Sequence, residues 1–313
     1  MRSSEMAIAG TAAGTVRARP RRRLLEDERW LAFVLLLPTL VLLGLFIAYP
    51  FVKGIMLAVT NTRVGVPGEF VGLANFVKIW NDSIFRTAAW NTVLYTAVTT
   101  VFKLALGLWL AVLLNRHFKG KALVRAFILL PFIIPTVLST FAWKWMFDPT
   151  FSVLNWMLFQ LGIITQRINW LGDSDLAMLA IMEVNIWRGV PFFAISLLAG
   201  LQTISPELEE AAAIDGARPW KRFWYVTWPL LLPVTMVVVL FSVIQTFADF
   251  QLVFVLTEGG PANATHLFAT YAYQVGVRTG LLSEGAAISL AMFPALLLVV
   301  VLQLLYIRRV ETR

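Results

Sequence analysis

Four polar residues, Ser242, Gln245, Thr246 and Asp249, occupy positions i, i+3, i+4 and i+7 of a strongly apolar run. On a helix that spacing gathers them on one face, with Val243, Phe247 and Phe250 opposite. Three neutral hydrogen-bonding groups and one acid suit a hydroxyl-rich ligand, and they suit a polar contact with a neighbouring helix equally well. Lys103 lies near the middle of another apolar run. It reads either as a lysine snorkelling towards water or as a group turned to a protein interface or an aqueous path. In a third run Glu183 and Trp187 share a face, Arg188 falls on another, and Asn185 lies between. Contacts between helices are the expected role for these three polar residues. An ionisable group in hydrocarbon costs roughly 2.5–3.5 kcal/mol on insertion scales, so each needs a compensating partner.

Several chemistries are excluded. The chain has no cysteine, so disulfides and thiolate metal sites are unavailable to it. His117 and His266 are far apart and are expected at the surface or in packing, with no metal bound. No nucleophile with a base, paired acid or histidine relay falls within the apolar runs, which argues against an enzyme and against the alternative of a proton-coupled carrier. The glycine-rich stretch "EGGPANA" at 258–264 lacks the lysine of a phosphate-cradling loop. The chain is therefore expected to bind no nucleotide or other cofactor of its own.

The elements that must position these residues are long and greasy. Of 313 residues, 59% are hydrophobic and 14% charged, and the mean hydropathy is +0.76. A helix of about 20 apolar residues crosses the hydrocarbon of a bilayer. Six such runs are found, near Trp30–Pro50, Asn91–Leu114, Ala126–Trp145, Ala177–Leu201, Pro229–Phe250 and Ala287–Ile307. The expected fold is an all-α membrane protein with six transmembrane helices. Pro131 and Pro135, Pro191 and Pro294 predict kinks in spans three, four and six. Trp143 and Trp145 flank Lys144 where span three should meet the outer interface. No internal repeat is detected.

A net charge of +8 is compatible with nucleic-acid binding in the abstract, but its distribution points elsewhere. Arginines crowd the chain ahead of span one. Arg116, Lys119, Lys121 and Arg125 lie between spans two and three, Arg218, Lys221 and Arg222 between four and five, and Arg308, Arg309 and Arg313 after six. Loops rich in Lys and Arg stay in the cytosol during insertion, so both termini are expected inside. Residues 1–29 read as a disordered basic cytosolic tail, 30–307 as the membrane domain and 308–313 as a second cytosolic tail.

The stretch "EEAAAIDGARPWKRFWYVTWPLLLP", residues 209–233, breaks the greasy pattern. Ser205 and Pro206 suit a helix start, and Glu207, Glu209 and Glu210 place negative charge at its positive end. Ala211, Ala212 and Ala213 favour helix and leave a shallow face, and Gly216 fits a left-handed stop. Pro219 opens a second short helix leading into span five. The segment, about 202–228, is thus expected to be a cytosolic helix-turn-helix shaped to dock.

Glu210-Ala211-Ala212, Gly216 and Val226-Thr227-Trp228-Pro229 resemble the cytosolic EAA loop of bacterial ATP-binding-cassette importer permeases at the same spacing. The stretches "VGLANF", "RAFILLP", "EVNIWRGVPF" and "LTEGGPANAT" are similar to the carbohydrate branch, of maltose and glycerol-3-phosphate type, and to the first of its two permeases. The resemblance implies a multi-pass subunit of the cytoplasmic membrane that moves a sugar, or a related solute such as glycerol 3-phosphate. It implies as partners a second permease, two ATP-binding subunits that carry ATP-Mg, an extracytoplasmic solute-binding protein and membrane lipid. It also implies that Glu210, Ala211, Ala212, Asp215 and Gly216 meet the ATPase.

Overall fold

The structure, a computed structural model, describes residues 28–311. The basic N-terminal stretch up to residue 27 and the last two residues of the C-terminal tail lie outside the described residues. The chain divides into two units, to Lys53 and from Gly54. In the first, α1 (Glu28–Leu43) passes through a π-helical turn, Gly44–Ala48, into α2 (Tyr49–Ala58), whose residues from Gly54 belong to the second. The side chains from Trp30 to Lys53 are all exposed and mostly apolar. The π turn ends two residues before Pro50. A proline lacks the N–H and crowds the carbonyl four residues back, and widening the preceding turn relieves both.

The second unit continues with α3 (Ala74–Asn81) and α4 (Ser83–Asn115), the latter capped by Asp82, which accepts from the Ile84 N–H at 2.9 Å. Next come α5 (Lys121–Ile133), α6 (Thr136–Met146), α7 (Val153–Gln160) and α8 (Ser174–Gln202). Then follow α9 (Pro206–Ile214), α10 (Pro219–Arg222), α11 (Trp228–Phe247), α12 (Gln251–Leu256), α13 (Phe268–Tyr273) and α14 (Leu282–Glu311). Among the described residues five helices are long and apolar enough to cross a membrane, or six if α5 and α6 count as one span.

That pair sharpens the kink expected in the third span, Ala126–Trp145, into a full break. The two helices meet at 91°. Pro135 has no N–H to continue the ladder and forces Ile134 into an extended conformation, φ −65° and ψ 130°. Pro191 and Pro294, by contrast, lie inside uninterrupted helices. Trp143 stacks on Phe147 at 5.4 Å and meets Trp187 edge-on at 5.5 Å, leaving Trp145 as the exposed member of the pair.

The packing axis of the unit is α4 against α8. The helices approach closely at Gly107, where an added Cβ would stand 2.3 Å from the Phe193 Cβ. Beside this contact Ala111, Leu114, Leu197, Leu201 and Leu231 form one buried cluster that draws in α11. α11 itself begins without a break. α10 runs through a second π turn, Phe223–Thr227, again ending two residues before a proline, Pro229. The second short helix of the hairpin is therefore the first turn of span five.

Candidate functional site

Span five ends at Phe247, short of the expected Phe250. Ala248 leaves helical geometry, and the chain restarts at Gln251 as α12. Asp249 therefore does not continue the helical face of Ser242, Gln245 and Thr246. It sits in the break, where its Oδ1 accepts from the Leu252 N–H at 3.4 Å. Phe250, expected on the far side, lines the same space as the polar stripe, whereas Phe247 is buried in the core.

The break opens onto a cavity of about 480 Å³, lined by Ser242, Gln245, Thr246 and Asp249 together with Lys103, Asn185 and Arg188. Three helices, α4, α8 and α11, and the break after α11 thus contribute these polar groups to one space. Lys103 is 3% exposed and does not snorkel. Its Nζ donates to Asn185 Oδ1 at 2.9 Å and to Thr246 Oγ1 at 2.7 Å. Asn185 Nδ2 in turn donates to Asp249 Oδ2 at 3.1 Å, and the Tyr95 hydroxyl donates to the same oxygen at 2.8 Å. Asn185 is the hinge of this network, joining an ammonium to a carboxylate that do not touch.

A buried ammonium and a half-buried carboxylate are tolerated when amide and hydroxyl groups take up their hydrogen-bonding capacity, as Asn185, Thr246 and Tyr95 do here. Ser242 Oγ is buried and has no partner among the described residues. Gln245 is exposed to the cavity. Arg188, expected only in contacts between helices, also faces this space, while Glu183 lines a separate apolar groove with Phe102 and Trp187. Tyr95 went unread in the sequence because a tyrosine in an apolar run looks like core.

At the other end of α11 the hairpin has the local geometry its residues dictate. Ser205 takes the extended N-cap conformation and Pro206 the first helical position, but the serine hydroxyl makes no capping bond. That part of the expectation is corrected. Gly216 adopts φ +77°, its N–H donates to Ala213 at 3.0 Å, and the Ala217 N–H donates to Ala212 at 2.9 Å. This is the left-handed stop that closes a helix on its own last carbonyls. Glu210, Ala211 and Asp215 are exposed and Ala212 is half-buried. Ile214 leaves 87% of its surface uncovered. Glu209 ties the hairpin together, accepting from the Thr227 hydroxyl at 3.0 Å.

His266 is buried against Thr270 at 3.2 Å, and burial, with Arg278 adding to it, pushes its imidazole down to about 4. It is a packing residue, and His117 is exposed. Among the described residues no cluster of His, Asp and Glu is placed to hold a metal ion.

Residues 103–312 match the family described as the inner-membrane component of binding-protein-dependent transport systems. The chain belongs to this family. It is an inner-membrane transport subunit and not an enzyme. This permease is 34% identical to the trehalose/maltose transport system permease protein MalF of Thermococcus litoralis, over 85% of the chain and 90% of the relative. It is 35% identical to the sulfoquinovosyl glycerol transport system permease protein SmoG of Agrobacterium fabrum, over 90% and 91% respectively. The fold of the permease matches a crystal structure of a bacterial transporter that imports the acidic polysaccharide alginate, with a TM-score of 0.78. That match covers 90% of this chain and 96% of the other at 24% identity.

Proposed function

We propose that this permease carries a sugar across the cytoplasmic membrane through the cavity at the break in span five. The observation that carries the reading is the polar lining itself. Gln245, exposed to the cavity, offers a ring hydroxyl an amide that no other side chain occupies, beside the network of Lys103, Asn185, Thr246 and Asp249. Hydroxyl-rich ligands are recognised by such dense, neutral donor and acceptor sets, with a few charges fixing orientation. Phe132, Phe192 and Phe250 supply apolar faces on which a pyranose can rest. The names of the trehalose/maltose and sulfoquinovosyl glycerol relatives support the carbohydrate class.

Energy enters at the hairpin. In this reading α9 docks in a partner that hydrolyses ATP-Mg, with Glu210, Ala211, Ala212, Asp215 and Gly216 at the contact. The exposed Ile214 and the shallow alanine face are the surface a partner would cover. Since α10 runs into α11 without a break, movement of the hairpin becomes movement of the helix that ends at the cavity, a rigid-body coupling. Two ATP-binding subunits, a second permease and an extracytoplasmic solute-binding protein complete the machine. The hairpin and both termini lie in the cytosol, as the Lys and Arg asymmetry favours.

Affinity purification of the tagged permease from its host tests the assembly. An ATPase and a second permease should accompany it, and reconstituted vesicles should take up sugar only with ATP inside and the solute-binding protein outside. Uptake by the chain alone, driven by a proton gradient, would overturn the proposal. Because the chain lacks cysteine, orientation can be read from single replacements. Lys119→Cys and Ala211→Cys should label from the cytosol, Phe70→Cys and Arg167→Cys from outside.

A further inference from the structure

A second cavity, of about 450 Å³, lies at the root of the hairpin and belongs to neither the polar network nor the exposed face of α9. Arg116 and Arg222 line it with Asn115, Glu209 and Thr227, and Val112, Leu201 and Phe223 supply apolar wall. Arg116 immediately follows the end of the span Ser83–Asn115, and Arg222 lies in the first turn of the span Pro219–Phe247. Both guanidinium groups therefore sit where two spans leave the hydrocarbon, at the depth of lipid headgroups.

The charge in this cavity is incompletely answered. Arg222 Nε is buried without a hydrogen-bond partner, and its Nη1 has only a long contact of 3.5 Å to the Glu209 carbonyl. The one carboxylate present, that of Glu209, is held by Thr227 and forms no ion pair with either arginine among the described residues. A buried guanidinium nitrogen without a partner is rare enough to need an explanation, and an anion supplies one.

Two further observations favour a lipid as its source. Trp220, Trp224 and Trp228 stack edge to face beside the site, at 5.5 and 5.7 Å, with Trp220 71% exposed. Tryptophans of this kind collect at the headgroup level. The chain between these spans, through α10, also carries Lys119, Lys121, Arg125, Arg218 and Lys221, against Glu207 and Glu210 on α9 and Asp215 just after it. Basic pockets between span ends attract anionic headgroups and repel a choline.

We propose that this cavity binds the phosphate of an anionic phospholipid, gripped by Arg116 and Arg222 at the junction of the hairpin with span five. The inference is independent of the sugar reading. Planar guanidinium groups engage two phosphate oxygens at once, and the apolar wall accepts the glycerol and the first methylenes. A lipid held there braces the end of α4 against the root of the hairpin.

The test uses the intact importer in detergent, offered equimolar dioleoylphosphatidylglycerol and dioleoylphosphatidylcholine and read by native mass spectrometry. The wild-type complex should retain the anionic phosphatidylglycerol in clear preference. Arg116→Gln with Arg222→Gln should lower that retention about tenfold or more, because a charged hydrogen bond contributes at least that factor. Arg86→Gln, outside this site, should leave it unchanged. Equal retention of the two lipids by wild type, which needs no variant to fold, would overturn the proposal, as would undiminished retention in the double variant. Displacement of the lipid by millimolar inorganic phosphate would overturn the lipid source and leave a free-anion site.

Discussion

The cavity at the break in span five and the hairpin at its other end are built on opposite plans. The cavity is held by side chains that meet from distant parts of the sequence. Tyr95 and Lys103 come from α4, Asn185 from α8, Thr246 from α11 and Asp249 from the break. The hairpin is held by its own backbone and by residues within reach of one another, Gly216 with Ala213, Ala217 with Ala212 and Glu209 with Thr227. A tertiary network fails as a unit when one member is lost. A locally closed hairpin fails only in its own geometry. Mutations at the two places should therefore differ in kind, assembly being lost at one and coupling at the other.

Asp249→Ala should have the largest effect. It strands the Tyr95 hydroxyl and the Asn185 amide and removes the nearest opposite charge from Lys103. Each hydrogen bond to a charged group contributes about 1.5–3 kcal/mol. Asp249→Ala should lower the denaturant midpoint of the purified complex and abolish uptake, while Asp249→Asn should recover part of both. An alanine variant as stable as wild type would show that the network is not the structural unit described here.

Gly216→Val comes next and should behave differently. Nothing lies within 4 Å of the Cβ it would add, so the cost is backbone strain alone, about 1–2 kcal/mol in the left-handed region. The complex should assemble, keep its unfolding midpoint within a small margin, and hydrolyse ATP without matching uptake. Loss of assembly would erase the contrast between the two regions.

The same contrast explains what was legible in the sequence. Pro206, the alanines and Gly216 act through φ angles and hydrogen bonds within a few residues, so their roles could be read in order along the chain. The periodicity of the spans was equally local, and six apolar runs reappear as the spans or as the bent pair. The break after Phe247 was not legible, because Ala248 and Asp249 carry no proline or glycine signal. It exists because Asp249 finds Tyr95 and Asn185 across the bundle. For the same reason the regular spacing of Ser242, Gln245, Thr246 and Asp249 suggested one continuous face where the chain makes two pieces around one cavity. The 91° bend at Pro135 was half legible: the proline announced a break but not its angle.

Gln245→Ala separates lining from structure within the cavity. Gln245 makes no hydrogen bond in the network and is exposed to the cavity. Truncating a surface residue of this kind usually changes stability by less than about 0.5 kcal/mol. Losing one neutral hydrogen bond to a ligand costs about 0.5–1.5 kcal/mol, a few-fold to roughly tenfold in uptake. Sugar transport should fall by that factor while assembly and basal ATP hydrolysis stay at wild-type levels. Unchanged transport would take this residue out of the path.

The smallest effect is expected at a side-chain contact that closes the hairpin on itself. Thr227 is buried in the π turn, and its hydroxyl reaches Glu209, eighteen positions earlier, at 3.0 Å. Thr227→Val keeps the shape and removes the donor. The acceptor is an exposed carboxylate that water can re-solvate, so the loss should be only about 0.5 kcal/mol, the low end for a hydrogen bond. That is too little to disturb assembly but enough to loosen α9 against the start of span five. The number of ATP molecules hydrolysed per sugar imported should rise modestly in Thr227→Val and return to the wild-type ratio in Thr227→Ser, which restores the hydroxyl. An equal rise in both variants would assign the effect to packing of the π turn. No rise in either would mean that Gly216 and the backbone alone hold the hairpin in line with the helix it drives.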